Sequence, residues 1–542
     1  MSRPFVPGGP PRFEHQKRGL RDLIRRRGVG ALVFDPGTGK TATTIDYMSV
    51  LALGLGVEEV RVLVVSPLAA VDTWVDQMGK WASPDVSYWV EALGGNILQR
   101  AEALADRGGD PFSRPLGKGP QKRGSGRRSL HVGRSWAWDA RPALEDRGAG
   151  PDGVPGPRLV VEVLNIDSFA SRRAVGSRTT ADIMVEAVKR FAPHLVVVDE
   201  LHKIKSVSGN ASRLLARIAP LVPRRVGLTG TLMPHGALDV FAQWRFLDAR
   251  AFGQVQVDGS RKTATFGQFR DRYAKMGGYL GREVVGYQNL DELQDILAER
   301  ATVVRKEDAL DLPPWTDATV HVELSSREAR AYSEMKKALA ADLGADGGLV
   351  TVGSRLTQMM RLRQITSGHL PDEQGEVHEV GDSKVQTIRS LVHDTLAGES
   401  RVVIFCQFTH EILALKRSLA AKGTEVMVIA GGTPNEERMR MRQRFGSSSP
   451  ERMVMVAQIT TMSLAVNELV TASNAVFGSM TLQRDEYIQA RDRLNRLGQT
   501  RPVTFWHVVA PGTVDEVILK SHQQRTDLET AVLRHILEHS GE

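Results

Sequence analysis

Val29-Gly30-Ala31-Leu32-Val33-Phe34 runs without a break into Asp35-Pro36-Gly37-Thr38-Gly39-Lys40-Thr41. The first six residues form an apolar run of strand length, the next five a glycine-rich turn, and Lys40-Thr41 opens a helix-like stretch. Such a strand, turn and helix make a phosphate cradle. The glycines let backbone N–H groups approach the phosphates, and the helix N-terminus favours negative charge. Gly37, Thr38, Gly39 and Lys40 are therefore candidate phosphate ligands, with Lys40 reaching the β- and γ-phosphates and Thr41 offering its hydroxyl to Mg2+. The strict pattern has a glycine where Phe34 stands, so the first glycine is missing here. The plain alternative, an ordinary turn with an exposed lysine, does not account for the strand before it and Thr41 after it.

Outward from this stretch, short apolar runs recur between longer helix-like segments. In the first half they are Val29–Phe34, Arg61–Ser66, Leu159–Leu164, Leu195–Asp199 and Val226–Thr229. In the second half they are Arg401–Cys406, Glu425–Ala430, Arg452–Ala457, Asn474–Phe477 and Val503–Val508. Continuous apolar strands of four to eight residues suit a parallel sheet covered on both faces, and two sets of them predict two α/β lobes. Between them, residues 235–380 read as mostly helical. Leu290, Leu293, Ile296 and Leu297 repeat at helical spacing, and Ser325-Ser326-Arg327-Glu328 has the form of a capping box.

Composition narrows the class. The 542 residues are 41% hydrophobic and 25% charged, ordinary for a soluble globular chain of about three domains. Cys406 is the single cysteine, which excludes an intramolecular disulfide and suits a reducing cytosol. No apolar run approaches the roughly 18–20 residues of a membrane helix, and the proline-bearing start, Met1 to Arg12, lacks the apolar core of a secretory signal. The net charge of +8 is concentrated: residues 107–158 hold 11 glycines and 7 prolines and carry +6 of it, leaving +2 elsewhere. That composition predicts a mobile basic insertion, in which Trp136 and Trp138 are candidates for base stacking and more plainly exposed or loosely docked rings. Bulk basicity thus says little about what the lobes bind.

Two further clusters carry chemistry. Val196-Val197-Val198 leads into Asp199-Glu200-Leu201-His202, placing two carboxylates at the C-terminal end of a strand, where open α/β sheets bind ligands. Asp199 is a candidate Mg2+ carrier and Glu200 a candidate base for an attacking water. Gln489, Arg493 and Arg496 follow i, i+4, i+7 spacing and so predict one helical face. Arginines aimed at a γ-phosphate would neutralise charge in phosphoryl transfer, although spacing alone reads as a solvated basic helix.

Taken in order, these residues resemble the motifs of a Swi/Snf-type DNA-dependent ATPase of helicase superfamily two, over roughly residues 11 to 525. Phe13-Glu14-His15-Gln16 resembles the glutamine motif, Asp35 to Thr41 motif I, and Val64-Val65-Ser66-Pro67-Leu68 with Trp74 motif Ia. Asp199 to Ser206 resembles motif II, a DEAH-like box, and Leu228-Thr229-Gly230-Thr231 resembles motif III. Leu312-Pro313-Pro314 after Arg305-Lys306-Glu307-Asp308 is similar to the segment leading to the second lobe. Val403 to Phe408 resembles motif IV and Gln489 to Gln499 motif VI.

The resemblance implies two RecA-like parallel-sheet lobes with a helical insertion between them. The domains would be an ATP-binding lobe at 1–240, a mainly helical region at 241–380, a second lobe at 381–520 and a helical tail at 521–542. It further implies an ATP·Mg2+-dependent motor with Lys40, Asp199, Glu200, Arg493 and Arg496 in catalysis. Gln16 and Gln489 would join the nucleotide ligands, and His202 and Thr229 would couple hydrolysis to movement. DNA, mainly duplex and contacted without strong sequence preference, would meet Ser66, Pro67, Trp74, Thr231, Gln407 and Asn467. A strand-separating helicase is the first alternative, and a DNA-binding scaffold with an impaired motor the second. The scaffold alternative rests on motif V, where Met462-Ser463-Leu464-Ala465-Val466 replaces the usual glycines before Asn467, and on Glu468, which adds negative charge there. Motif III also departs, continuing as Leu232-Met233-Pro234-His235. A motor-only chain of this type fits a phage or bacterial source, hence the host cytoplasm if phage-encoded.

Overall fold

A computed structural model of the chain describes residues 5–106 and 158–524, apart from 171–172, 176, 235, 254–261, 279–282, 345–351, 373, 421–422, 463–467 and 497. Residues 107–157 of the expected basic insertion, with Trp136 and Trp138, lie outside the described residues, as does the tail from 525. The chain separates into two compact units, Met1–Leu310 and Asp311–Glu542.

Unit 1 is built on a seven-stranded parallel sheet. Its strands are β1 (Val29–Phe34), β2 (Glu59–Ser66), β3 (Ser87–Ala92), β4 (Arg158–Asn165), β5 (Leu195–Asp199), β6 (Arg224–Thr229) and β7 (Ala301–Val304), in the order β7-β1-β6-β5-β2-β4-β3. The apolar runs work because both faces are covered. Ala31, Val33, Leu63, Val65, Val196 and Val198 enter one core, while Leu32, Phe34, Val62, Val64, Leu195 and Val197 enter the other. Each valine, leucine and phenylalanine among them contributes about 1.5–3 kcal/mol by leaving water. The helix Lys40–Gly54 is buried over most of its surface despite its polar residues. The hydroxyls of Thr43, Thr44 and Ser49 donate to the carbonyls of Gly39, Lys40 and Ile45 one turn back, which removes the cost of burying them.

Unit 2 holds a six-stranded parallel sheet of β8 (Trp315–His321), β9 (Arg401–Cys406), β10 (Thr424–Ile429), β11 (Arg452–Gln458), β12 (Asn474–Phe477) and β13 (Val503–Val509), in the order β8-β13-β12-β9-β11-β10. Its runs also split by alternation: Val403 and Phe405 face one core, Val402, Ile404 and Cys406 the other. Cys406 is fully buried, and burial pushes its thiol far up, as for a packed small hydrophobe.

Each lobe is thus the parallel α/β sheet expected. The middle region is mostly helical among its described residues and adds short strands. It contains the expected helix Leu290–Arg300 and the capping box, in which Glu328 N–H donates to Ser325 Oγ and Ser325 N–H donates to Glu328 Oε2. It also supplies edge strand β7 to unit 1 and edge strand β8 to unit 2, so the compact units divide at Leu310 rather than around a separate block at 241–380.

Candidate active site

In unit 1 the C-terminal ends of β1, β6, β5 and β2 lie side by side, because those strands are neighbours in the sheet. They deliver the loop 35–41, Thr229 to Thr231, Asp199-Glu200 and Ser66-Pro67 to one rim.

The loop is shaped by its glycines. Gly37 and Gly39 take φ of +85° and +94°, conformations that a side chain resists. A Cβ on Gly39 would lie 2.0 Å from Gln16 Nε2, so the glycine serves a close approach as well as a turn. Thr38 is buried, and its hydroxyl donates to Asp35 O at 2.8 Å. The Thr38 carbonyl receives Gln16 Nε2 at 3.3 Å and lies 2.7 Å from the His15 ring nitrogen. Gln16 therefore braces the loop, and its own Oε1 accepts from Phe13 N–H. Lys40 Nζ donates to Phe34 O at 2.7 Å, folded across the loop it follows. Asp35 caps the far side, its Oδ2 accepting from Lys306 N–H at 2.9 Å. Thr41 is half-buried at the start of the helix.

The carboxylates sit opposite. Asp199 Oδ2 accepts the Trp74 indole N–H at 2.9 Å and Oδ1 accepts Glu200 N–H at 3.0 Å. Burial, then the neighbouring Glu200 charge, pushes the Asp199 carboxyl up, against the Trp74 hydrogen bond and the positive charge of Lys40. That Lys40 acts on Asp199 electrostatically means motifs read about 160 residues apart share one site. Glu200 has φ of +53°, a left-handed backbone rare for a non-glycine residue and typical of functional positions. Its Oε2 lies 3.3 Å from His202 Nδ1, which is also 3.0 Å from Thr229 Oγ1. The Thr229 hydroxyl donates to Thr231 O and accepts Thr231 N–H, leaving it an acceptor for a proton on His202 Nδ1. Glu200 and Thr229 thus both face His202 Nδ1, whose one proton would be shared between Oε2 and Oγ1, which links Glu200 to Thr231 through the two expected coupling residues.

The donor set fits Mg2+ with a triphosphate. A hydroxyl and a carboxylate are hard oxygen ligands, and the ammonium and loop amides offer positive charge and N–H groups to phosphate oxygens. Ser66 and Trp74, expected to face DNA, are instead fully buried, and Pro67 is buried between them in sequence. Apolar packing against the sheet core claims the Trp74 ring. Thr231 remains half-buried.

In unit 2, Gln489 lies on the helix Arg484–Arg491, which ends before the arginines expected to extend its face. Arg493 and Arg496 lie in the turns that follow, where the backbone tightens, Arg493 N–H donating to Ala490 O and Leu494 N–H to Arg491 O, and Leu494 is fully buried. Burial lowers the Arg496 guanidinium pKa, against the charges of Asp492 and Glu468. Gln407 is half-buried, and its N–H donates to Ser479 Oγ. Asn467 and the residues 463–466 before it lie outside the described residues. Glu468, expected to bring unbalanced negative charge, is paired with Arg442 at 3.1 Å. Sequence reasoning missed that partner, although the arginines of Asn435–Phe445 were in view.

Comparison with known proteins bears on the whole chain. The model for the SNF2-related domain matches residues 15–369, and that for the helicase conserved C-terminal domain matches residues 383–498. The DNA annealing helicase and endonuclease ZRANB3 of Bos taurus is 25% identical over 350 residues, covering 63% of this chain and 30% of that one. The ISWI chromatin-remodeling complex ATPase ISW1 of Saccharomyces cerevisiae is 21% identical over 527 residues, 95% of this chain and 40% of its own length. Putative protein p41 of Acyrthosiphon pisum secondary endosymbiont phage 1 is 24% identical over 357 residues, covering 62% and 71%. The Sulfolobus solfataricus SWI2/SNF2 ATPase core in complex with dsDNA is similar with a TM-score of 0.37 and 18% identity, covering 100% and 96%. The chain spans less than half the length of the first two of these relatives.

Proposed function

Because the chain belongs to the SNF2-related domain family, we propose that it is a DNA-stimulated ATPase that hydrolyses ATP while moving on duplex DNA. The observation that carries this reading is the single rim holding the Gly37–Lys40 loop, Asp199 and Glu200, with Glu200 wired through His202 to Thr229 and Thr231. The printed names of the relatives, a DNA annealing helicase and a chromatin-remodeling ATPase, support DNA as the partner.

Each residue then has a task. The loop amides and Lys40 bind the phosphates, Lys40 exchanging the Phe34 carbonyl for a phosphate oxygen. Thr41 and Asp199 offer oxygens to Mg2+, which when bound with ATP polarises the phosphoryl oxygens. Glu200 orients a water and takes its proton, while His202 restrains the carboxylate on its other side. Gln16 holds the loop in register. Arg493 and Arg496 stand as proposed charge-neutralising residues of phosphoryl transfer. Thr231, Gln407 and Asn467 stay as proposed DNA contacts, and the buried Ser66, Pro67 and Trp74 drop out as side-chain contacts.

ATP turnover with and without duplex DNA tests this directly. We expect strong stimulation that fades as salt rises, since phosphate contacts dominate, and a Glu200→Gln protein that binds ATP but does not turn it over. No stimulation at low salt overturns the proposal. Tight DNA binding with negligible turnover would favour the scaffold alternative, and unwinding of a forked duplex without triplex displacement the strand-separating one.

A further inference from the structure

The Trp74 indole is buried in the sheet core of unit 1, yet its one polar atom leaves that core to meet a carboxylate 125 residues away in sequence. A buried indole N–H needs an acceptor, and this one has Asp199 Oδ2 at 2.9 Å. The other oxygen, Oδ1, takes Glu200 N–H at 3.0 Å. A carboxylate on its own swings broadly about its last torsion. Donors on two different oxygens remove that freedom. The route is set by the fold: the helix Val71–Trp81 follows β2, and β2 lies next to β5, whose last residue is Asp199.

We propose that Trp74 is a positioning residue for the Mg2+ site, fixing the plane of the Asp199 carboxylate from behind rather than touching DNA. The inference rests on the reading of Asp199 as the metal-carrying carboxylate. Groups that orient a metal-bound side chain, though they do not touch the metal, cost about 10–100-fold in metal affinity when removed. Trp81, on the same helix, gives its indole N–H to Gln77 instead and provides an internal control.

The test uses the full-length protein and a fluorescent ADP analogue, titrated without metal and then with increasing Mg2+. Trp74→Phe keeps a ring in the core and deletes the N–H. Expected are unchanged metal-free binding and a half-saturating Mg2+ concentration raised about 10–100-fold, while Trp81→Phe leaves both unmoved. On an Asp199→Ala background Trp74→Phe should add nothing. An unchanged Mg2+ requirement in Trp74→Phe, or equal loss with and without metal, overturns the proposal. If Trp74→Phe does not fold, Trp74→Met fills the pocket with a pliable apolar chain that has no N–H or O–H donor and is read the same way. A wild-type protein that binds no nucleotide, or binds it regardless of Mg2+, overturns the reading of the site itself and the role of Trp74 with it. A normal wild-type response with an unresponsive variant removes only the role.

Discussion

Glu411 offers the sharpest numerical test, and it belongs to unit 2. It is fully buried in unit 2, its carboxylate accepting the Ser479 hydroxyl. Lys384, Asp515, Arg363 and Cys406 surround it, with Lys384 Nζ 2.6 Å from Asp515 and the Arg363 guanidinium buried alongside. Burial outweighs the attraction of Lys384 and pushes the Glu411 carboxyl from 4.5 up to about 7. Between those values the folded protein holds a proton that the unfolded chain has released, so stability falls as pH rises from about 4.5 to 7 and is level above that. At about 1.4 kcal/mol per unit, the full cost is about 3 kcal/mol, of which about 2 kcal/mol falls between pH 5.5 and 8. Glu411→Gln keeps a carbonyl for Ser479 and removes the ionisation. Its thermal midpoint relative to wild type should therefore rise by about 4 °C between pH 5.5 and 8, taking the entropy of unfolding of a unit this size. Calorimetry of the unit 2 transition reads this. The buried histidines His369, His507 and His522, whose pKa values burial lowers, cost stability as pH falls, but they do so in both proteins and cancel. A gap between variant and wild type that is the same at both pH values refutes the reasoning.

Two further predictions concern unit 1. Gly39→Ala adds about 1–2 kcal/mol of left-handed backbone strain and drives a methyl group into Gln16. Nucleotide affinity should fall, Gln16→Ala should restore the collision part alone, and a binding titration showing no restoration at all would remove the collision as cause. Arg12 pairs with Asp46 through two hydrogen bonds of 2.6 and 2.8 Å, both side chains buried, and stacks 4.4 Å from the Trp81 ring. Arg12→Ala strands a buried carboxylate and should cost about 3–5 kcal/mol in denaturant titration. Because burial raises the Asp46 carboxyl and Arg12 holds it down, the loss should shrink toward acid pH, and adding Asp46→Asn should recover part of it.

What could be read from the sequence follows from where each element sits. Val29–Phe34, Leu195–Asp199, Arg401–Cys406 and Asn474–Phe477 are central strands covered on both faces, so their apolar runs are continuous and their bounds agree with the structure. The strands overlooked, Ser87–Ala92, Ala301–Val304 and Trp315–His321, are sheet edges. With one side open, Trp315-Thr316-Asp317-Ala318-Thr319-Val320-His321 keeps polar residues among the apolar ones and carries only a faint alternation. Local spacing misled at Gln489, Arg493 and Arg496, since the helix that the spacing assumed ends at Arg491 and gives way to tighter turns. The loop and the carboxylates were visible because their chemistry is local. Trp74 with Asp199, and Arg442 with Glu468, are tertiary pairings that no local pattern encodes.

The strand order of unit 1 has a consequence for the timing of synthesis. β1, which leads into the phosphate loop, is flanked by β6 and β7, and the Asp35 side chain is met by Lys306 N–H, 271 residues later in the chain. At about 5–20 residues per second, a ribosome needs roughly 15–55 s to supply that partner. One edge of β1 waits for β6 at residue 224, the other stays bare until β7 at residue 301, and throughout the loop's first residue has no Lys306 to meet. The stretch that announces the fold early in the chain is thus among the last of unit 1 to be finished, and a nascent chain cut before residue 301 would carry every loop residue but lack β7 on one side of β1.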